Sequence, residues 1–120
     1  MNQAYARQAY ENNRVTTAPQ KKLIIMLYDA GIKNIKLAKL SMEEKDIERT
    51  NTYLIKAQNI ISEFMNTLNF DLGGDIARDL YALYDYMYKG LIRANIDKDI
   101  DKLSEIERYM EELRETWMQI

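Results

Sequence analysis

Histidine and cysteine are absent from this 120-residue chain. With them go the commonest proton shuttle near neutral pH, disulfides and thiolate chemistry. A di-iron bundle needs Glu-x-x-His pairs and a phosphotransfer bundle needs a histidine to carry the phosphoryl group, so neither chemistry is open to it. The glycine pair Gly73-Gly74 is followed by Asp75 and by no Lys-Ser or Lys-Thr step. That excludes a phosphate-cradling loop and predicts a helix C-cap and turn after the second helix. A small all-α site of the chorismate mutase kind would grip a dicarboxylate with buried Arg and Lys, but Arg49, Arg78 and Arg93 fall on the polar faces of their segments. The chain reads as a non-enzyme that uses no cofactor and no metal.

What the remaining residues can do is recognise another surface. Nine Tyr stand against two Phe, and Tyr81, Tyr84, Tyr86 and Tyr88 crowd one stretch. Tyrosine suits surfaces that are wet when free and dry when occupied. With Tyr53, Ile60 and Met65 upstream, the chain carries more apolar stripe than one set of helix seams consumes, and the surplus predicts a groove for a partner's helix. Burying about six to eight side chains there is worth on the order of 10 to 20 kcal/mol gross. Association takes roughly 4 to 15 of that, and ordering a flexible partner roughly 2 to 5. Micromolar binding therefore needs no salt bridge, and seven Met supply adaptable contacts.

Four stretches of helical periodicity must position these side chains. The last steps through Leu103, Ile106, Met110, Leu113, Trp117 and Ile120 by alternating threes and fours, behind Asp97 or Asp99 as cap. The second carries Ile47, Leu54, Ala57, Ile61, Phe64 and Leu68, with Ser41 and Glu44 at capping-box spacing ahead of it. The third, from about Asp75 to Ala94, places Ile76, Leu80, Leu83, Met87 and Leu91 on one stripe and Ala77, Tyr81, Tyr84 and Tyr88 on the next. Gly90 inside it predicts close approach of a neighbouring backbone. The first starts near Pro19, with Thr17 and Gln20 in capping register, and its run Leu23 to Tyr28 is apolar nearly all round, which predicts burial on more than one side.

Short connections force such helices antiparallel, so the expected fold is all-α, an up-down four-helix bundle over residues 17–120 preceded by a short arm over residues 1–16. With 47% hydrophobic and 30% charged residues the chain is one folded domain. A net charge of −2 without blocks of one sign argues against nucleic acid as a partner. No apolar run is long enough to predict membrane insertion, and no signal peptide is visible.

The run Tyr10-Glu11-Asn12-Asn13-Arg14-Val15-Thr16-Thr17-Ala18-Pro19, continuing into Leu23-Ile24-Ile25-Met26-Leu27-Tyr28-Asp29, resembles the opening of the flagellar secretion chaperone family, FliS. Resemblance continues in Lys56-Ala57-Gln58-Asn59-Ile60-Ile61, in Gly73-Gly74-Asp75-Ile76-Ala77, in Leu83-Tyr84-Asp85-Tyr86, in Leu91-Ile92-Arg93-Ala94-Asn95 and in Leu113-Arg114-Glu115-Thr116-Trp117. Two features depart from the family pattern. Pro19 comes one residue early, and Ala30-Gly31 inverts the usual Gly-Ala order at a close helix contact.

The resemblance implies a cytoplasmic chaperone that covers the disordered C-terminal segment of flagellin, prevents its premature polymerisation and helps deliver it to the gate of the flagellar type III export apparatus. It also implies that the N-terminal arm, with Tyr5 and Tyr10, lies over part of the groove and takes part in contact with the gate. Tyr53, Ile60, Met65, Tyr81, Tyr84 and Tyr88 are the expected lining of the groove. The free chain is expected to be a monomer or a weak homo-oligomer. The alternative is a structural bundle that self-associates through the same stripe.

Overall fold

The computed structural model describes residues 17–68 and 70–119. Four helices follow one another, α1 (Thr17–Glu43), α2 (Ile47–Thr67), α3 (Phe70–Asp97) and α4 (Ile100–Met118). Cross-helix contacts run in opposite residue order on the seams they join. Between α1 and α4, Asp29 meets Arg114, Lys36 meets Glu111 and Lys39 meets Glu107. Between α2 and α3, Phe64 stacks on Tyr84 while Asn51 bonds Asn95. The helices are therefore antiparallel in sequence order, and α4 closes the ring against α1. The up-down four-helix bundle expected from periodicity is the fold. The arm over residues 1–16 and the Thr17 side chain lie outside the described residues.

The ends of the helices revise two sequence expectations. Ser41 does not cap α2; it is buried in the last turn of α1. That helix ends with Lys45 in the left-handed region at φ 58, its N–H donating to Met42 O at 3.1 Å while Asp46 N–H donates to Ser41 O at 2.9 Å. This is a Schellman closure. Asp46 then caps α2 by accepting from Arg49 N–H at 3.1 Å, and Asp99 caps α4 from Lys102 N–H at 3.1 Å. The glycine pair does not cap α2 either. That helix stops at Leu68 in extended backbone, and Gly74, at φ 52 and ψ −127, bends the chain inside α3. Only glycine takes such a conformation without strain.

The interior is filled by one seam from each helix. Phe64 lies between the rings of Tyr28, at 4.4 Å, and Tyr84, at 5.4 Å, and the two tyrosine hydroxyls hydrogen-bond to each other across the bundle. Trp117 seals the end of the core where the Lys21 ammonium donates to Met118 O. Gly90 does meet a close neighbour, but a side chain rather than backbone: a Cβ there would come within 2.8 Å of Ile106 Cδ1. The apolar run of α1 is not buried all round. In a ring of four, a helix has only two adjacent neighbours, so its outward face keeps Leu23 and Met26 in solvent.

Candidate functional site

The outer flanks of α2 and α3 face each other across an open seam. On α2 the flank is Asn51, Ile55, Gln58, Ser62 and Met65, and on α3 it is Tyr81, Asp85, Tyr88, Ile92 and Asn95, each stepping by threes and fours. A cleft of about 420 Å³ lies between them, lined by Ser62, Met65 and Asn66 from α2 and by Tyr81, Asp85, Tyr88, Lys89 and Ile92 from α3. Its ring-bearing wall is half open: Tyr81 is 41% exposed, and Met65 and Tyr88 are partly buried against the core beneath. Asp85 is held by Lys89 at 2.9 Å, one helical turn away, so the cleft contains no isolated charge. Asn95 Nδ2 donates to Asn51 Oδ1 at 3.0 Å and bridges the two helices at the far end. Ile92, at the edge of the cleft, and Ile55, which lies toward this bridge, are both exposed.

Three of the expected groove residues, Met65, Tyr81 and Tyr88, are brought together here. Tyr53 and Ile60 are not. Ile60 sits on the α1 side of α2, its Cγ2 beside Gly31, and Tyr53 lines a separate depression with Asp46, Glu48, Arg49, Thr52 and Lys56. Tyr53 and Ile60, seven residues apart, share one side of α2, and Met65 lies about 140° around the helix from Ile60, so the ring order of the bundle sends the two flanks to different neighbours. Tyr84 is corrected outright: its side chain is 0% exposed. Its hydroxyl is satisfied by Tyr28 in the interior, which removes the desolvation penalty that would otherwise keep a tyrosine at the boundary. Tyr5 and Tyr10 lie outside the described residues.

Sequence reasoning missed Ile55, Ser62, Asp85 and Ile92. Their signal was a second spacing of threes and fours flanking the core seam, masked because Ser62 and Asp85 interrupt its apolar character. Tyr86, part of the tyrosine cluster, turns instead toward α4. Its hydroxyl donates to Glu105 Oε1 at 2.8 Å and accepts from Lys102 Nζ at 2.7 Å. The Tyr86 hydroxyl first, and Glu105 second, hold the Lys102 ammonium above the usual lysine range.

An all-α bundle with a partly apolar cleft between the outer flanks of two neighbouring helices has the form of a helix-accepting scaffold. The family description "Flagellar protein FliS" matches the chain over residues 1–120. The flagellar secretion chaperone FliS of Bacillus subtilis is 44% identical over 92% of this chain and 82% of its own length. That of Salmonella typhimurium is 35% identical over 98% of this chain and 87% of its own. The Campylobacter jejuni protein of the same name is 30% identical over 96% and 90%. The chain belongs to the FliS family of flagellar secretion chaperones. No helix among the described residues is long and apolar enough to cross a membrane.

Proposed function

We propose that this chain is a cytoplasmic export chaperone that holds the C-terminal segment of flagellin as a helix in the α2/α3 cleft, prevents that segment from polymerising early, and assists its delivery to the flagellar type III export apparatus. The observation that carries the reading is the cleft itself: two amphipathic helices line it with Met65, Tyr81, Tyr88 and Ile92, of which Tyr81 and Ile92 are exposed and Met65 and Tyr88 half-buried. A partner helix bearing apolar residues at matching spacing removes that surface from water, and the Asp85–Lys89 pair and the Ser62 hydroxyl give its polar edge hydrogen-bonding contacts. In this reading residues 1–16, with Tyr5 and Tyr10, cover part of the cleft when no client is bound and contact the export gate.

Calorimetric titration with a flagellin C-terminal peptide tests this. Tyr81→Glu places a charge on the wall of the cleft and is expected to weaken binding by at least about tenfold, the loss of one desolvated anchor, while far-UV circular dichroism stays unchanged because the side chain is outside the core. Unchanged affinity for Tyr81→Glu and Met65→Glu alike would place the client elsewhere. A tight dimer indifferent to flagellin would favour the structural alternative.

A further inference from the structure

We propose that the α1–α2 and α3–α4 loops together form a binding site for a small carboxylic acid with an aliphatic tail. In an up-down ring these two connections fall at the same end of the bundle. They are built alike. Glu44-Lys45-Asp46-Ile47-Glu48-Arg49 and Asp97-Lys98-Asp99-Ile100-Asp101-Lys102 repeat one order of residue types: acid, Lys, Asp, Ile, acid, base. In each, the lysine takes the left-handed turn, at φ 58 and 54, the aspartate caps the next helix, and the isoleucine is the first residue of that helix. Both turns close through the aspartate N–H, which donates to Ser41 O at 2.9 Å in one loop and to Ala94 O at 3.0 Å in the other. Glycine is the usual residue at such a turn because it takes positive φ without strain. The chain twice uses lysine instead, and both lysines border the same pocket.

That pocket, of about 380 Å³, lies between the loops and is lined by Met42, Lys45, Ile47, Thr50, Lys98 and Ile100. Its one uncharged polar side chain, Thr50, already donates its hydroxyl proton to Asp46 O at 2.8 Å. Side chains of this kind give a peptide amide no donor to replace water, and burying an unpaired amide is costly. The lining therefore selects hydrocarbon. Ile47 needs such a cover most, since it is 69% exposed at the mouth.

Charge at the rim selects the other end of the ligand. A lysine stem lies along apolar surface while its ammonium stays in water, so the pocket carries two cations at its edge. No carboxylate lines it. The nearby ones are engaged elsewhere: Asp46 with Arg49 at 3.5 Å, Asp97 with Arg93 at 2.9 Å, and Asp99 with the Lys102 N–H at 3.1 Å. Lys45 and Lys98 make no ion pair among the described residues, and the Lys98 ammonium donates to the neutral Asn95 Oδ1 at 2.6 Å. A carboxylate held by the two ammoniums, with its tail over Met42, Ile47 and Ile100, answers both halves of the site. None of these residues lines the α2/α3 cleft, so the two sites are separate.

Methyl NMR of the full chain, titrated with butanoate, hexanoate and octanoate, tests the proposal. Saturable shifts are expected at Met42, Ile47, Thr50 and Ile100, with Met65 and Ile92 of the cleft unmoved. Each added methylene should tighten binding about two- to fourfold. Octylammonium, with the same tail and the opposite charge, should bind more weakly than octanoate. Lys45→Gln with Lys98→Gln is expected to weaken octanoate about three- to tenfold, the loss of two partly exposed ion pairs, and to leave 1-octanol unaffected. Ile47→Glu puts a like charge at the mouth and should abolish octanoate binding; an acid in the first turn suits the helix dipole, so circular dichroism should report intact helices. No saturable shifts at the four residues, equal shifts at Met65 and Ile92, octylammonium binding as tightly as octanoate, or unchanged octanoate affinity in the double glutamine variant would each overturn the proposal.

Discussion

The α1/α4 seam and the α2/α3 seam are built from the same kind of helix and finished in opposite ways. Across α1 and α4 the edge is laced with charge: Lys39 to Glu107 at 3.1 Å, Lys36 to Glu111 at 3.9 Å, Asp29 to Arg114, and Lys21 to the carbonyl of Met118. Across α2 and α3 the corresponding positions are Met65, Ser62, Tyr81 and Tyr88, and the hydrogen bond of Asn95 to Asn51 ties one end. Surface ion pairs add little stability each, yet they fill an edge with hydrated groups that another helix cannot displace cheaply. Leaving them out costs the monomer little and makes the edge available. The difference teaches that whether an edge of a bundle is closed or left open is set by the residues flanking its core rather than by the core itself.

Beneath both seams the core is shared, and the largest effect should come from breaking it. Phe64→Ala empties the space between Tyr28 and Tyr84 and is expected to cost about 3–5 kcal/mol in urea denaturation. A much smaller loss would mean that the floor of the α2/α3 cleft is not packed as described. The closed seam should be far less sensitive. Lys39 and Glu107 are partly buried, and a double-mutant cycle to Ala is expected to give a coupling of about 0.5–1 kcal/mol with peptide affinity unchanged. Altered peptide binding in that cycle would erase the functional contrast between the two edges.

The smallest effect belongs to the α3/α4 edge. Hydrogen bonds from Lys102 first, and from Tyr86 second, hold the Glu105 carboxyl below its ordinary 4.5. Its contribution is therefore complete above that value and fades as pH falls through the lowered one. Lys102 is raised from its ordinary 10.5, so its contribution is complete below 10.5 and fades only as pH rises through the raised value. Tyr86→Phe removes one partner from each group. An NMR titration should find the Glu105 midpoint moved up and that of Lys102 moved down, both toward their ordinary values, with client affinity unaffected.

Much of this molecule is legible in one dimension, and the exceptions share a cause. The seam Leu103, Ile106, Met110, Leu113 and Trp117 is buried as its spacing predicts. On α3 the spacing offered two neighbouring stripes, and hydrophobicity favoured Leu83 over Tyr84 for the interior. The bundle buries Tyr84 and leaves Leu83 at the edge. The partner that makes this possible, the Tyr28 hydroxyl, is 56 residues away, and local pattern cannot see it. The flanks of α2 pose the same difficulty. Sequence places Ile60 and Met65 on either side of one stripe, but only the order of helices around the ring decides that Ile60 turns to α1 and Met65 to α3. Met65, Tyr81 and Tyr88 could be named from their types and periods; that Tyr53 belongs to another surface could not.

The position of Trp117 has a practical consequence. It is the only tryptophan in the chain, and it is sealed at the end of the bundle where α1 begins. A single intrinsic fluorophore thus stands at that end, remote from the loops that hold Lys45 and Lys98. Its emission wavelength and its accessibility to a soluble quencher offer a label-free way to follow events at the start of α1, in a chain where nine tyrosines would blur any signal from the middle.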